Sequence, residues 1–451
     1  MALVLNAALL AVLLPWLRRQ WREASTRSWR AVLLLGLGLR VLLGVARSWT
    51  PKLDADFMSG LARDVTVQLW NSPGKAWQTL TQAVTVIPIY DKPGGAHMYD
   101  TAYQGLSNTW FMIKLLAFLN LGSLETPGVN GLYLSLFAFA GCWVLVRKLA
   151  VLFPATPAGA GVVAFLLWPS AWFWGTGISK EAVLLGSGAW LTARVLGWLF
   201  GPPAQLKTGL QRTGWWLGTV ALAFLHFKMR YFFALPLAGV LAGLAFGRLV
   251  EIGAGRKLPR WAQAVVLVGV LGGGVWVASQ VSVAFRVNKF TNQVIRVYTF
   301  EVQHSAGKPH FEYPELRPTV ESIAAHAPLA AANVLTRPWL GESRQPLYVA
   351  AGLENALLMS LLAVAFVAVA RGRAGHLPFG VGLALAVFCL LLAVMMGLTT
   401  PNLGSLSRYR SGMLPFLVLL LLQHEYAAQW LGRVGLGSGL KDPETQKPPP
   451  F

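Results

Sequence analysis

The stretch Phe379-Gly-Val-Gly-Leu-Ala-Leu-Ala-Val-Phe-Cys-Leu-Leu-Leu-Ala-Val-Met-Met-Gly-Leu398 contains no charged side chain. An α-helix of ~20 apolar residues spans ~30 Å of hydrocarbon, so this run predicts a transmembrane helix. Ala262 to Ala284 repeats the pattern, and Tyr348 to Ala370 does so with Glu354 as its one charge. The whole chain shares the bias: 55% of its 451 residues are hydrophobic and 12% are charged, where soluble domains carry roughly 25% charged residues. That balance excludes a soluble fold. The 38 Lys and Arg against 18 Asp and Glu give a net charge of +20, which in a soluble protein would suggest a nucleic-acid partner. In a membrane chain it follows from Lys and Arg enrichment in cytoplasmic loops, and no nucleic-acid partner is expected. Cys142 and Cys389 both lie inside apolar runs, where thiols behave as small hydrophobes.

Basic clusters at Arg18 to Arg30, Arg147 and Lys148, Lys207 to Arg212, Arg248 to Arg260, Arg371 to Arg373, and Arg433 set the orientation if all are cytoplasmic. The apolar runs then supply about eleven spans, at 2–17, 31–48, 129–146, 157–174, 181–199, 214–230, 232–247, 262–284, 347–370, 376–398 and 411–432. Met1 to Leu17 has neither a basic n-region nor a small-residue cleavage site, and it reads as a retained first helix. The segment 110–121 is short and broken by Lys114, so it is taken as re-entrant or interfacial. The expected architecture is an all-α polytopic bundle over 1–434, with two larger non-cytoplasmic loops at 49–128 and 285–346. The polar, proline-ended tail 435–451 is expected to be a disordered cytoplasmic extension.

Against that charge rule, the exceptions carry information. The first outside loop opens with Asp54 and Asp56. A carboxylate there can deprotonate an acceptor hydroxyl or hold a divalent ion, Mg or Mn; it can equally cap a helix. In Trp174-Gly-Thr-Gly-Ile-Ser-Lys-Glu181 the adjacent Lys180 and Glu181 open a helix behind Ser179, a good anion site, although Glu181 also suits the helix dipole by itself. Lys228 and Arg230 stand in a very short outside turn, either facing a lipid phosphate or snorkelling to headgroups. Arg408 and Arg410 precede the last span, and guanidinium is well shaped for two-oxygen contact with phosphate. Glu354 lies two turns into an apolar span, where an acid is costly unless paired; Arg337, Arg344, Arg408 and Arg410 are the candidate partners. His97, His304, His310 and His326 show no metal-ligand spacing and read as solvated loop residues. The tryptophans, Trp49, Trp168, Trp172, Trp174 and Trp339 among them, fit an interfacial belt.

This order of features resembles the GT-C superfamily of membrane glycosyltransferases: an initial helix, a loop opening on acids, an apolar segment after Tyr103 to Asn108, a helix closed by Arg147-Lys148, and the Pro169 to Glu181 turn. The resemblance covers about the first 200 residues. The Lys180-Glu181 turn and the Arg408-Tyr-Arg410 sequence are also similar to bacterial envelope-polysaccharide membrane proteins. The resemblance implies an inverting transferase that moves sugar from a polyprenyl-phosphate carrier on the non-cytoplasmic face, in a bacterial inner (plasma) membrane. It implies that an acid of the first outside loop, Asp54 or Asp56 here, serves as base or metal ligand. Lys180, Glu181, Lys228, Arg230, Arg337, Glu354, Arg408 and Arg410 are the expected substrate-binding set. The chain departs from many such enzymes in its Asp-x-Asp and in lacking a sizeable C-terminal soluble domain, which points to a lipid or glycan acceptor rather than a protein. Two alternatives remain: an O-antigen-type polymerase or ligase, in which Arg337, Arg344, Arg408 and Arg410 outweigh the aspartates, and a transporter or flippase of a lipid-linked anion.

Overall fold

The computed structural model describes residues 1–24, 26–47, 53–82, 84–90, 98–104, 107–202 and 209–437. The expected disordered tail lies outside the described residues from 438 onward, as do Trp49, His97 and Lys207.

The chain begins with α1 (Ala2–Glu23) and α2 (Arg27–Ala46). Thr26 starts α2 by accepting a hydrogen bond from the Trp29 amide at 3.3 Å, the usual way to satisfy an orphan N–H of a first turn. What the sequence suggested was an open loop at 49–128 is largely structured. It holds α3 (Leu53–Asn71), α4 (Pro73–Thr81), an antiparallel hairpin of β1 (Val84–Tyr90) and β2 (Met98–Gln104), and α5 (Asn108–Ser123). The hairpin is the departure from an all-helical chain. The segment 110–121 falls inside α5, which buries Trp110, Met112, Ile113, Leu116 and Ala117. A buried polar ladder ties α5 to its neighbours: Asn120 donates to Thr66 at 3.0 Å and Asn130 donates to Asn120 at 2.7 Å.

Next come α6 (Pro127–Leu152), the short α7 (Ala158–Val162), α8 (Pro169–Trp174), α9 (Lys180–Phe200), α10 (Gly209–Met229), α11 (Tyr231–Ala254) and α12 (Arg260–Val281). The outer helices α13 (Val287–Gln303) and α14 (Val320–Thr336) follow. The chain closes with α15 (Pro346–Ala370), α16 (Phe379–Thr399), α17 (Leu403–Arg410), α18 (Leu414–Leu421) and α19 (Glu425–Arg433). Eight of these, α1, α2, α6, α9, α11, α12, α15 and α16, are long and apolar enough to cross a membrane. Much of their apolar surface faces outward: Leu3 is 87%, Val281 81% and Phe366 73% exposed. In water such surface would cost ~25 cal/mol per Å², whereas lipid makes it neutral.

The other three expected spans are built differently. Segment 157–174 is α7 running into one π-helical turn, Val163–Leu167, and then breaking at Trp168 before Pro169. Segment 214–230 lies in α10, which is less apolar because it carries Gln211, Arg212, His226 and Lys228. Segment 411–432 is interrupted between α18 and α19.

Contacts sort the helix ends into two groups. At one end Arg147 of α6 reaches Glu23 and Gln20 of α1, Arg373 lies over the Tyr426 ring at 5.1 Å, and Gly159 bonds to Leu436 at 2.9 Å. At the other end the starts of α5, α9 and α11 converge with the last turn of α17, as described below. The core between them relies on close helix approach. A Cβ on Gly141 of α6 would collide with the Gly186 carbonyl of α9, the small-residue contact typical of packed membrane helices.

Candidate functional site

The second group of helix ends brings together half of the sequence-predicted site residues: Asp54, Lys180, Glu181, Arg230 and Arg408. Ser179 caps α9 by accepting from the Ala182 amide at 3.1 Å, which places Lys180 and Glu181 in its first turn. The preceding turn is held from both sides. Arg40 donates to the Phe165 carbonyl at 3.3 Å and to the Gly175 carbonyl at 2.5 Å, Arg47 donates to the Phe173 carbonyl, and the Gly177 amide donates to Ser135 at 2.9 Å. Gly177 has φ +71°, a left-handed conformation that glycine adopts without steric cost.

Glu181 is buried to 1% exposure and stands between two guanidinium groups. Arg230, the residue before α11, donates to its Oε1 at 2.7 Å. Arg408 of α17 places Nε 3.0 Å from its Oε2. Arg408 also donates through Nη1 to Asp54 Oδ2 at 2.7 Å. Lys180 donates to Asn108 at 2.9 Å and Thr109 at 2.7 Å. The Arg230 guanidinium carbon lies 3.8 Å from the Tyr409 ring centroid, a cation–π contact. Burial works to lower the Arg408 guanidinium, but Glu181 and Asp54 outweigh it and raise it. Arg47 also lies within the field of Glu181 and Arg408.

Four cations, Arg47, Lys180, Arg230 and Arg408, thus share two close carboxylates, Glu181 and Asp54. The surplus charge is positive and partly desolvated, which strengthens its pull on an anion. Among the described residues Arg230 Nε is buried without a hydrogen-bond partner, whereas Arg408 Nε faces Glu181. Beside them opens a cleft of about 730 Å³, lined by Asn108, Arg230, Tyr231, Lys289, Glu301 and Tyr409 among others. Half-burial raises the Glu301 carboxyl, with His304 opposing.

Other predicted residues lie elsewhere. Asp56 is exposed on α3, two residues from Asp54 and therefore about 200° around the helix, so the two carboxylates cannot face one point. Lys228 ends α10 with its Nζ 5.8 Å from the Phe111 ring. Arg410 enters a second, buried network: it donates to Asn355 at 2.9 Å and to the Arg337 carbonyl, and burial lowers it to about 10 with Glu354 opposing. Glu354 does not ion-pair there; it accepts from the Ser170 amide at 2.9 Å, at the start of α8. Arg337 pairs with Glu342. Among the described residues no group of three His, Cys, Asp or Glu could hold a metal. Asp54 already faces a guanidinium, so the donor set here does not fit an Mg or Mn centre.

Sequence reasoning missed Arg47, Asn108 and Tyr409. Arg47 had a usable signal, since it is one more cation at the end of the second span that the charge rule reserves for few cations. Asn108 and Tyr409 had none, being ordinary polar residues until folding sets them beside Lys180 and Arg230. Compared with protein-family models, with curated proteins and with solved structures, the chain matches none.

Proposed function

We propose that the chain is a multi-pass membrane glycosyltransferase of GT-C type, which transfers a sugar from a polyprenyl-phosphate carrier to a lipid or glycan acceptor. The observation that carries this reading is the buried Arg230–Glu181–Arg408 cluster, with Lys180 and Asp54 at its edge and the 730 Å³ cleft beside it. Glu181 spends both oxygens on arginines, so its role is to hold the two guanidinium groups apart and in place. Lys180, Arg230 and Arg408 then bind the carrier phosphate and stabilise the charge it gains on leaving, the term such a transfer most needs. Asp54 takes the proton from the acceptor hydroxyl. The hydroxyl oxygen bonds to the anomeric carbon, the bond from that carbon to the carrier phosphate breaks, and direct displacement inverts the centre.

The topology that goes with this reading keeps eleven crossings. The broken pair α7–α8, the less apolar α10 and the series α17–α19 each run between the two groups of helix ends, and so complete the eight long helices. All the basic clusters then fall at the end opposite Glu181, which is read as cytoplasmic in a bacterial inner membrane. A polymerase or ligase would lean on Arg337, Arg344, Arg408 and Arg410; of these Arg337 and Arg410 spend donors away from the Glu181 cluster, and only Arg408 joins it. The test is transfer of labelled sugar from polyprenyl phosphate by protein in proteoliposomes. Undiminished transfer by correctly inserted Asp54→Asn and Asp54→Asn/Asp56→Asn variants would falsify the mechanism.

A further inference from the structure

The opposite end of the bundle holds a separate cleft of about 570 Å³ between α6, α9 and α10. Among the described residues its charged lining is Lys148, Arg194 and Arg212, with no Asp or Glu. The sequence explains the imbalance, since no acid occurs between Glu125 and Glu181 or between Glu181 and Glu251. Its neighbour Arg147 meets Glu23 on the other side of α6. One residue further along the helix turns the side chain by about 100°, and Lys148 lies against α9. Two glycines make room for the cationic stems. A Cβ on Gly197 would stand 3.0 Å from Lys148 Cε, and one on Gly218 would stand 2.9 Å from Arg194 Nη1. Arg194 is anchored by bonds to the Trp215 carbonyl at 2.5 Å and to Thr219 at 3.0 Å.

The rim is aromatic and open. Trp198 and Trp216 are 45% and 52% exposed with ring centroids 6.1 Å apart. Further along α10, Leu217 and Val220 are 65% and 63% exposed. Indoles beside cations at the end of an apolar helix face match the level of lipid headgroups, and the open leucine and valine offer a surface for acyl chains.

We propose that this cleft binds the phosphate headgroup of an anionic phospholipid, with Lys148, Arg194 and Arg212 on the phosphate and the tryptophans at the glycerol level. The inference does not depend on the reaction at the other end. Full-length protein is exchanged into vesicles of phosphatidylcholine alone and of phosphatidylcholine with phosphatidylglycerol, and retained lipid is measured by native mass spectrometry. Wild type retains phosphatidylglycerol preferentially. Arg212→Gln, at an exposed position, and Lys148→Ala/Arg212→Gln each weaken that preference, on the order of fivefold for each cation removed. Lys148→Arg keeps it, and unchanged gel-filtration profiles show that the variants are folded. Equal retention of both lipids by wild type, or unchanged preference in both variants, overturns the proposal. Displacement of the retained lipid by inorganic phosphate alone also overturns it, in favour of a soluble anion.

Discussion

Glu181 and Arg408 form a buried ion pair, Oε2 to Nε at 3.0 Å, that joins the first turn of α9 to the short helix α17 near the other end of the chain. Because Arg230 occupies the other carboxylate oxygen at 2.7 Å, one acid organises two cations drawn from separate elements. Breaking such a pair by removing one partner leaves uncompensated buried charge, a loss of ~3–5 kcal/mol. Glu181→Ala is therefore expected to lower the midpoint of thermal unfolding in detergent strongly and to abolish transfer. Wild-type stability in Glu181→Ala would show that the cluster is not held by this carboxylate.

Asp54 and Asp56 are expected to separate in kinetics. Loss of a general base costs ~10²–10⁴-fold in rate, and Asp54→Asn should show it in kcat with little change in KM. Asp56→Asn, on another face of α3, should retain near-normal turnover. Lys180→Ala should instead raise KM for the lipid-phosphate donor. Equal losses in the two aspartate variants would remove the reason for choosing Asp54.

Arg410 is expected to matter for stability rather than for donor binding. Arg410→Ala strips partners from Asn355 Oδ1 and the Arg337 carbonyl, and each buried group left unsatisfied costs ~1–3 kcal/mol. Thermal unfolding should shift down, while donor KM in the surviving folded fraction stays close to wild type. A raised donor KM with an unchanged unfolding midpoint would instead put Arg410 on the substrate.

His310 links pH to the strap formed where residues 309–311 pair with residues 401–403 at the start of α17. Its backbone pairs with Asn402, while its Nδ1 meets the Lys308 carbonyl at 2.8 Å and its Nε2 meets Glu312 at 3.0 Å. The Lys308 carbonyl, followed by Glu312, raises the imidazole above its ordinary value, against burial and Arg337. A raised folded value means that the stabilisation is complete below the unfolded value of ~6.5 and is lost as pH rises through the folded one. Amide exchange at Phe311 and Leu403, whose N–H groups bond across the strap at 3.2 and 3.1 Å, should therefore be better protected, after correction for intrinsic rates, on the acid side. His310→Asn should abolish the difference. Protection that grows with pH would contradict this sign.

The apolar runs and the positions of the cations were legible in the residues alone, because crossing length and charge placement are local properties of the chain. Eight continuous helices and the gathering of Lys180, Glu181, Arg230, Arg408 and Asp54 at one end follow from them. Interruptions of the runs were not legible, since a π-turn before Pro169 or a break between α18 and α19 depends on neighbours that satisfy the freed backbone groups, as Arg40 does by donating to the Phe165 and Gly175 carbonyls. The folded structure also divided pairs that stand side by side in sequence. Asp54 meets Arg408 while Asp56 lies on another face of α3; Arg230 meets Glu181 while Lys228 lies toward Phe111; Arg408 joins the carboxylates while Arg410 is buried on Asn355. Within α3 and α17, residues two apart point in nearly opposite directions, and Lys228 and Arg230 are separated by the turn from α10 to α11; which direction is the site depends on the helix packed against it. The overlooked Arg47 and the demoted Arg410 have the same explanation: the charge rule tells which end of a span a cation occupies, and only packing decides which carboxylate it meets there.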